Sequence, residues 1–291
     1  MILRFIKWLL SLFKKAPEKQ QPSEEVVFQP PKEEVGEIEE TMTYFKKDGK
    51  VIFDVSLNRP NYGQRNNEYK WSHPKNSALT MDALSMCNVT SMVMALDYLD
   101  YKFPSGKYSQ PEDNLCDFMF TSKEVDDFYK LKMPAMWEQF NRGDSNAYCP
   151  NLVHIVLAYA TNLWMGTNCV TFHDAYTIND IIREITINQR PVVMSGTFPY
   201  KYANGTVGTI GHINCLVGAR YNEADFAERK LAQPPVDFIV DDPYGNWKQN
   251  FIAGTGNDTI FTYNEFVKYY KTLNNGNHKM AHIFKNSAAV I

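Results

Sequence analysis

Helical and strand-like hydrophobic patterns are segregated along this chain, and that segregation limits its fold more than any other feature. Up to about residue 188, apolar residues recur mainly at helical spacing. Val89, Met92, Val93, Leu96 and Leu99 make one such stripe, bounded downstream by Pro104, and further helices are expected over Ser122–Tyr129, Asn151–Trp164 and Ile178–Asn188. Beyond residue 190, β-branched and aromatic runs dominate, at Val192–Phe198, Ile213–Tyr221, Phe238–Asp241 and Ala281–Phe284. One late helix, Tyr263–Thr272, follows the capping box Thr262-x-x-Glu265. An opening hairpin is expected in Thr43–Val55, where two β-rich runs flank Asp48-Gly49, a dipeptide suited to a type I′ turn. Helices early and strands late predict an α+β domain.

That domain is expected to span residues 41–291, because the preceding segment has a different composition. Residues 16–40 carry Pro17, Pro22, Pro30, Pro31 and the pairs Glu24-Glu25, Glu33-Glu34 and Glu39-Glu40, too little apolar surface to offset ordering entropy, so they read as a disordered linker. In residues 1–15, Ile2, Phe5, Ile6, Leu9, Leu10 and Phe13 fall on one helical stripe, with Arg4, Lys7, Lys14 and Lys15 largely elsewhere. This reads as a basic amphipathic helix lying on an anionic membrane surface, with docking on the chain's own domain as the alternative. It is too short to span a bilayer and lacks the small-residue cleavage site of a signal peptide. The whole chain has 291 residues, 44% hydrophobic, with a net charge of −3. No broad basic field is available for nucleic acid, which is not an expected partner. Five cysteines, an odd number with no Cys-x-x-Cys pair, disfavour a disulfide scaffold and a zinc ribbon.

Three residues in this framework carry potential chemistry. Cys87 stands at the start of the Val89 helix, where unpaired backbone N–H groups and the helix dipole stabilise a thiolate. His212 is expected at the start of a strand in Gly211-His212-Ile213-Asn214-Cys215, where an imidazole on a rigid element can deprotonate a thiol across a cleft. A carboxylate is then needed to orient the ring, and both Asp241 and Asp242 end the next strand. Adjacent strand residues face opposite sides, so the choice stays open here. Taken singly, each has a structural reading: a buried thiol, a hydrogen-bonded core histidine, an aspartate opening a turn.

Other constellations lead nowhere. His278-x-x-x-His282 lacks the intervening Glu of a helical metal pair and precedes a strand-like run, so no metal is expected. Gly106-Lys107-Tyr108 lacks the remainder of a phosphate loop, and no cofactor is expected. Cys215, three residues after His212, would face the other side of its strand. The tyrosine-rich stretches at Tyr62–Tyr69 and Tyr263–Tyr270 suit either a groove or core packing.

The strings Gln64-Arg65-Asn66-Asn67, Cys87-Asn88-Val89-Thr90-Ser91, Gly211-His212 and Asp242-Pro243-Tyr244-Gly245 occur in that order. Cys87 and His212 are 125 positions apart, close to the roughly 130 to 150 of papain-type enzymes. In these strings the chain, from about Tyr62 to Ile291, resembles the bacteriocin-processing-peptidase-like branch of papain-fold cysteine peptidases, found in bacteria and their phages. The resemblance implies a helical half and an antiparallel β half with a catalytic cleft between them. It also implies a triad of Cys87, His212 and Asp242, with the Gln64 amide and the Cys87 N–H forming an oxyanion hole. The chain departs from relatives in having Asn88-Val89 where Gly-Pro often follows the Cys, and in a longer insert between Gln64 and Cys87. The implied activity is amide-bond hydrolysis through a thioester, with peptidoglycan at the cell envelope as the expected substrate. A membrane-tethered peptidase acting on a protein partner is the alternative, and a catalytically silent module the remaining one.

Overall fold

Asp48 and Gly49 both take positive φ, 51° and 69°, as a type I′ turn requires, and they join β1 (Phe45–Lys47) to β2 (Lys50–Asp54) in the expected hairpin. The computed structural model describes residues 42–56, 59, 62–270 and 278–287. The amphipathic segment 1–15 and the linker 16–40 lie outside the described residues. None of the described helices is long and apolar enough to cross a membrane.

The helical half comprises α1 (Cys87–Tyr98), α2 (Pro111–Thr121), α3 (Lys123–Lys132), α4 (Pro134–Arg142) and α5 (His154–Met165). Helices α2 and α4 escape the periodicity analysis, yet each begins with a proline in its first turn, where the missing N–H costs no hydrogen bond. The expected Asn151–Trp164 helix splits into a 3-10 turn, Pro150–Leu152, followed by α5. In the insert between Gln64 and Cys87, β3 (Trp71–His73) and β4 (Asn76–Met81) form a separate two-stranded sheet.

The other half is an antiparallel sheet. Its remaining elements are β5 (Val170–Thr177), α6 (Ile178–Thr186), β6 (Val192–Lys201), β7 (Val207–Asn222), α7 (Glu223–Arg229), β8 (Asp237–Asp241), β9 (Thr259–Thr262), α8 (Tyr263–Tyr269) and β10 (His278–Phe284). The strands run in the order β1-β2-β7-β6-β10-β5, and β8 joins β7 to β9. Helix α8 carries the full Thr262/Glu265 capping box and α6 an equivalent one from Thr177 and Asp180.

Strand β7 is the spine of this half, and its side chains divide the core. Ile213, Cys215 and Val217 pack with Val89, Val93 and Leu96 of α1. Leu216 packs with Ile181 and Ile185 of α6 and with Phe238 and Phe266. An irregularity in the β7–β8 register between Leu216 and Gly218 moves the alternation by one residue, so that Ala219 and Tyr221 join the second cluster. Helix α1 is thereby pressed onto one face of β7, which brings the two halves together along the line where Cys87 and His212 lie.

One expectation needs correction here. His212 is not at the start of a strand: β7 begins at Val207, and His212 pairs with Gly196 inside a long β6–β7 hairpin that reaches Lys201 and Val207. Glycines 208 and 211, poor strand formers, hide this extension, but cross-strand pairing with β6 overrides their propensity.

Candidate active site

Cys87 is the first residue of α1, so its own N–H has no partner within the helix. Two local contacts hold that helix start. Asn88 exchanges hydrogen bonds with Asn151, its Nδ2 donating to the Asn151 carbonyl and its Oδ1 accepting from Asn151 Nδ2 at 3.3 Å. Asn67 Nδ2 donates to Thr90 Oγ1 at 3.1 Å. Asn88 is therefore a buried anchor that ties the Cys87 helix to the 3-10 turn before α5.

His212 is 5% exposed and enclosed by the rings of Phe198, Phe251 and Tyr244. Its Nε2 meets Asp242 Oδ1 at 2.6 Å, and the ring is also hydrogen-bonded to Cys87. Burial alone lowers the imidazole's proton affinity. The Asp242 charge, the Cys87 sulfur and the hydrogen bonds to both more than reverse this, raising it to about 10. Cys87, His212 and Asp242 therefore lie in one chain of contacts.

Asp242 is itself held on several sides. Its Oδ1 also accepts from the Tyr244 N–H at 2.8 Å, inside the Asp-Pro-Tyr-Gly turn. Asn214 Nδ2 approaches Oδ2 at 3.4 Å, and the Tyr270 hydroxyl donates to Asn214 Oδ1 at 2.6 Å. Asn214 and Tyr270 are fully buried. The alternative carboxylate points elsewhere: Asp241 accepts from the Tyr98 hydroxyl at 2.6 Å and from the Asp258 N–H at 2.8 Å. Burial pushes Asp241 up to about 6. Of the two aspartates, Asp242 faces the histidine and Asp241 fastens β8 to the far end of α1.

Gln64 lines the same cleft as Cys87 and His212. Its backbone N–H donates to the Pro243 carbonyl at 2.9 Å, and its side-chain Nε2 donates to the Ala83 carbonyl at 3.0 Å. A carboxamide nitrogen has two N–H groups, so one remains for a ligand. Next to it, the Arg65 guanidinium lies 3.8 Å from the Tyr244 ring centroid and donates to the Tyr244 and Phe251 carbonyls. The Gln-Arg-Asn-Asn string thus fastens the Asp242 turn and, through Asn67, the Cys87 helix.

The other sequence candidates separate from this site. Cys116, Cys149, Cys169 and Cys215 are buried, and burial raises each thiol, Cys149 to about 12 and Cys169 to about 11. Cys87 is half-exposed. Residues 278 and 282 lie within β10, and His282 Nε2 meets His154 Nδ1 at 2.9 Å. Burial lowers both His154 and His282, so they form a neutral pair, His282 in the core and His154 partly exposed. Tyr69 and Tyr270 are core residues. The tyrosines that line the cleft include Tyr200 and Tyr244, which sequence reasoning did not single out as lining residues, although Tyr244 sits in one of the quoted strings.

A model of the Peptidase_C39 like family matches residues 56–277. None of the curated protein sequences matches the chain significantly. Among solved structures, an active wild-type interpain A cysteine protease from Prevotella intermedia is similar over 83% of this chain and 96% of that one, at 15% identity and a TM-score of 0.31. That likeness is loose and adds nothing to the family match.

Proposed function

The chain belongs to the Peptidase_C39 like family, cysteine peptidases of papain-like fold, and from that premise we propose that it hydrolyses an amide bond with Cys87, His212 and Asp242. The observation that carries the assignment is the His212 ring, bonded to Asp242 through one nitrogen and to Cys87 as well, at the mouth of a helix N-terminus. In the proposed cycle the Cys87–His212 pair reacts with its proton on the imidazole, the form that the raised His212 favours, and the sulfur attacks the substrate carbonyl carbon. The carbonyl electron pair moves onto oxygen, which the Cys87 N–H and the free Gln64 N–H receive. The C–N bond then breaks, and the amine leaves with the proton returned by His212. Water, deprotonated by His212, attacks the thioester, and the sulfur leaves with the C–S electron pair beside the protonated ring, restoring the starting pair. Asp242 holds the ring's orientation and stabilises its protonated state.

Two substrates satisfy this chemistry: peptide bonds of peptidoglycan, and peptide bonds in a protein partner reached by a domain that residues 1–15 hold at a membrane surface. Release of muropeptides from purified sacculi separates them. The catalytic assignment is tested without a substrate by treating the full chain with iodoacetamide at pH 7 and mapping the alkylated cysteines. Cys87 is expected to react alone and faster than glutathione, and His212→Ala to slow it. Alkylation of Cys87 only after denaturation would leave a silent module as the reading.

A further inference from the structure

Between Gln64 and Cys87 the chain forms the two-stranded β3–β4 hairpin, whose second strand lines the cleft that holds Cys87 and His212. Strand β4 supplies Leu79 and Met81 to the cleft, and the 3-10 turn that follows supplies Leu84, which is 47% exposed beside the nucleophile. Tyr200, Ile210 and Tyr244 of the β half add to the apolar lining, and Thr80, Ser85, Ser145 and Asn146 contribute neutral polar groups. Among the described residues that line this cleft there is no Asp, Glu, Lys or Arg, and the His212 ring is already engaged by Asp242 and Cys87.

The hairpin is also held rigid from behind. Asn76 Nδ2 donates to the Gly143 carbonyl at 2.8 Å, Lys75 Nζ to the Asn141 carbonyl at 2.7 Å, and the His73 ring packs edge-on against Phe140. Each of these contacts reaches α4 or the turn just after it. A preformed apolar wall loses little entropy when it binds a ligand.

We propose that this hairpin insert is the selectivity wall of the cleft, and that the site takes an uncharged, apolar stretch of a protein chain rather than a muropeptide. The inference rests on the catalytic assignment above. An apolar wall rewards apolar side chains, whereas a carboxylate or ammonium brought into the cleft loses water without gaining a counter-charge. Muropeptide stems carry free carboxylates and amines, and apart from His212, already engaged by Asp242, no charged side chain in the lining pairs with them. Leu84 is accounted for as well, since an exposed leucine at the cleft has a role in contact with substrate that it lacks in folding.

The test uses the full chain and three tripeptidyl vinyl sulfones that differ only in carrying Leu, Glu or Lys at the two positions before the warhead. Cys87 is expected to be modified at least tenfold faster by the Leu probe than by either charged one. Leu79→Lys is expected to move the Leu-to-Glu rate ratio at least tenfold toward Glu. Equal rates with all three probes, while iodoacetamide still labels Cys87 rapidly, would overturn the inference and leave the triad standing. A ratio unmoved by Leu79→Lys would remove the hairpin from the selectivity wall, and muropeptide release from sacculi would overturn the substrate class. A Cys87 inert to iodoacetamide and all three probes would bring down the catalytic assignment itself.

Discussion

Asp242→Asn is nearly isosteric but removes the charge that governs His212, and the structure sets the size of the effect. Burial on its own lowers the imidazole's proton affinity, and the ring is nevertheless raised from 6.5 to about 10. A difference of that size is worth about 5 kcal/mol in favour of the protonated ring. Without the carboxylate the largest raising influence is gone, only Cys87 is left to oppose desolvation, and the ring is expected to titrate well below 10. Each unit by which the ring falls would lower the imidazolium population about tenfold at a pH above the new value, relative to a wild type protonated up to about pH 10. The new amide group is also ill-placed. Oδ1 must continue to accept from His212 and from the Tyr244 N–H, so the Asn nitrogen would face Asn214 Nδ2, whose own oxygen is engaged by Tyr270. Long-range 1H–15N correlation spectra of the imidazole nitrogens between pH 5 and 11 read the titration directly. The wild-type His212 ring is expected to keep its imidazolium signature to about pH 10, and the variant to show neutral imidazole well below that. Stability should follow the same sign. Because the folded-state value lies above the unfolded one, the stabilisation is complete below pH 6.5 and is lost as pH rises through about 10, so the gap between wild type and variant in urea melts should narrow over that window. A variant whose His212 still titrates near 10 would refute the reasoning, because the Asp242 charge would then not be what holds the proton.

Gln64→Leu removes the side-chain donor proposed for the oxyanion hole, and kcat on a cleaved peptide is expected to fall by about 10²- to 10³-fold with little change in KM. A fall smaller than threefold would exclude Gln64 from the oxyanion hole. Gly218→Ala addresses the β7 irregularity: an added Cβ would lie 2.4 Å from the Phe53 carbonyl oxygen on β2 and 2.8 Å from Ile239 Cδ1 on β8. The neighbouring strands must move, which should cost about 1–3 kcal/mol and lower Tm by several degrees in a thermal melt.

The parts of the site that sequence inspection located are those whose geometry is local. A cysteine at a helix start, and an aspartate followed by Pro-Tyr-Gly, have their positions dictated by the backbone of a few neighbouring residues, and Cys87 and Asp242 stand where those strings put them. The opening hairpin was legible for the same reason, because two residues at positive φ decide it. What stayed hidden depends on register between distant segments. Whether Asp241 or Asp242 faces the ring is settled by Cys215 pairing with Asp241 across β7 and β8, and by Tyr98 on α1 claiming the Asp241 carboxylate. The same holds for the cleft walls. Leu79 and Tyr200 are far apart in the chain and have unremarkable local patterns, and they become cleft partners only when β4 and β6 are brought to opposite sides of Cys87. It follows that the reaction this chain performs is written in short strings, while its choice of substrate is written in tertiary placement, and substitutions in the insert should alter selectivity without reproducing the effect of changes at the triad.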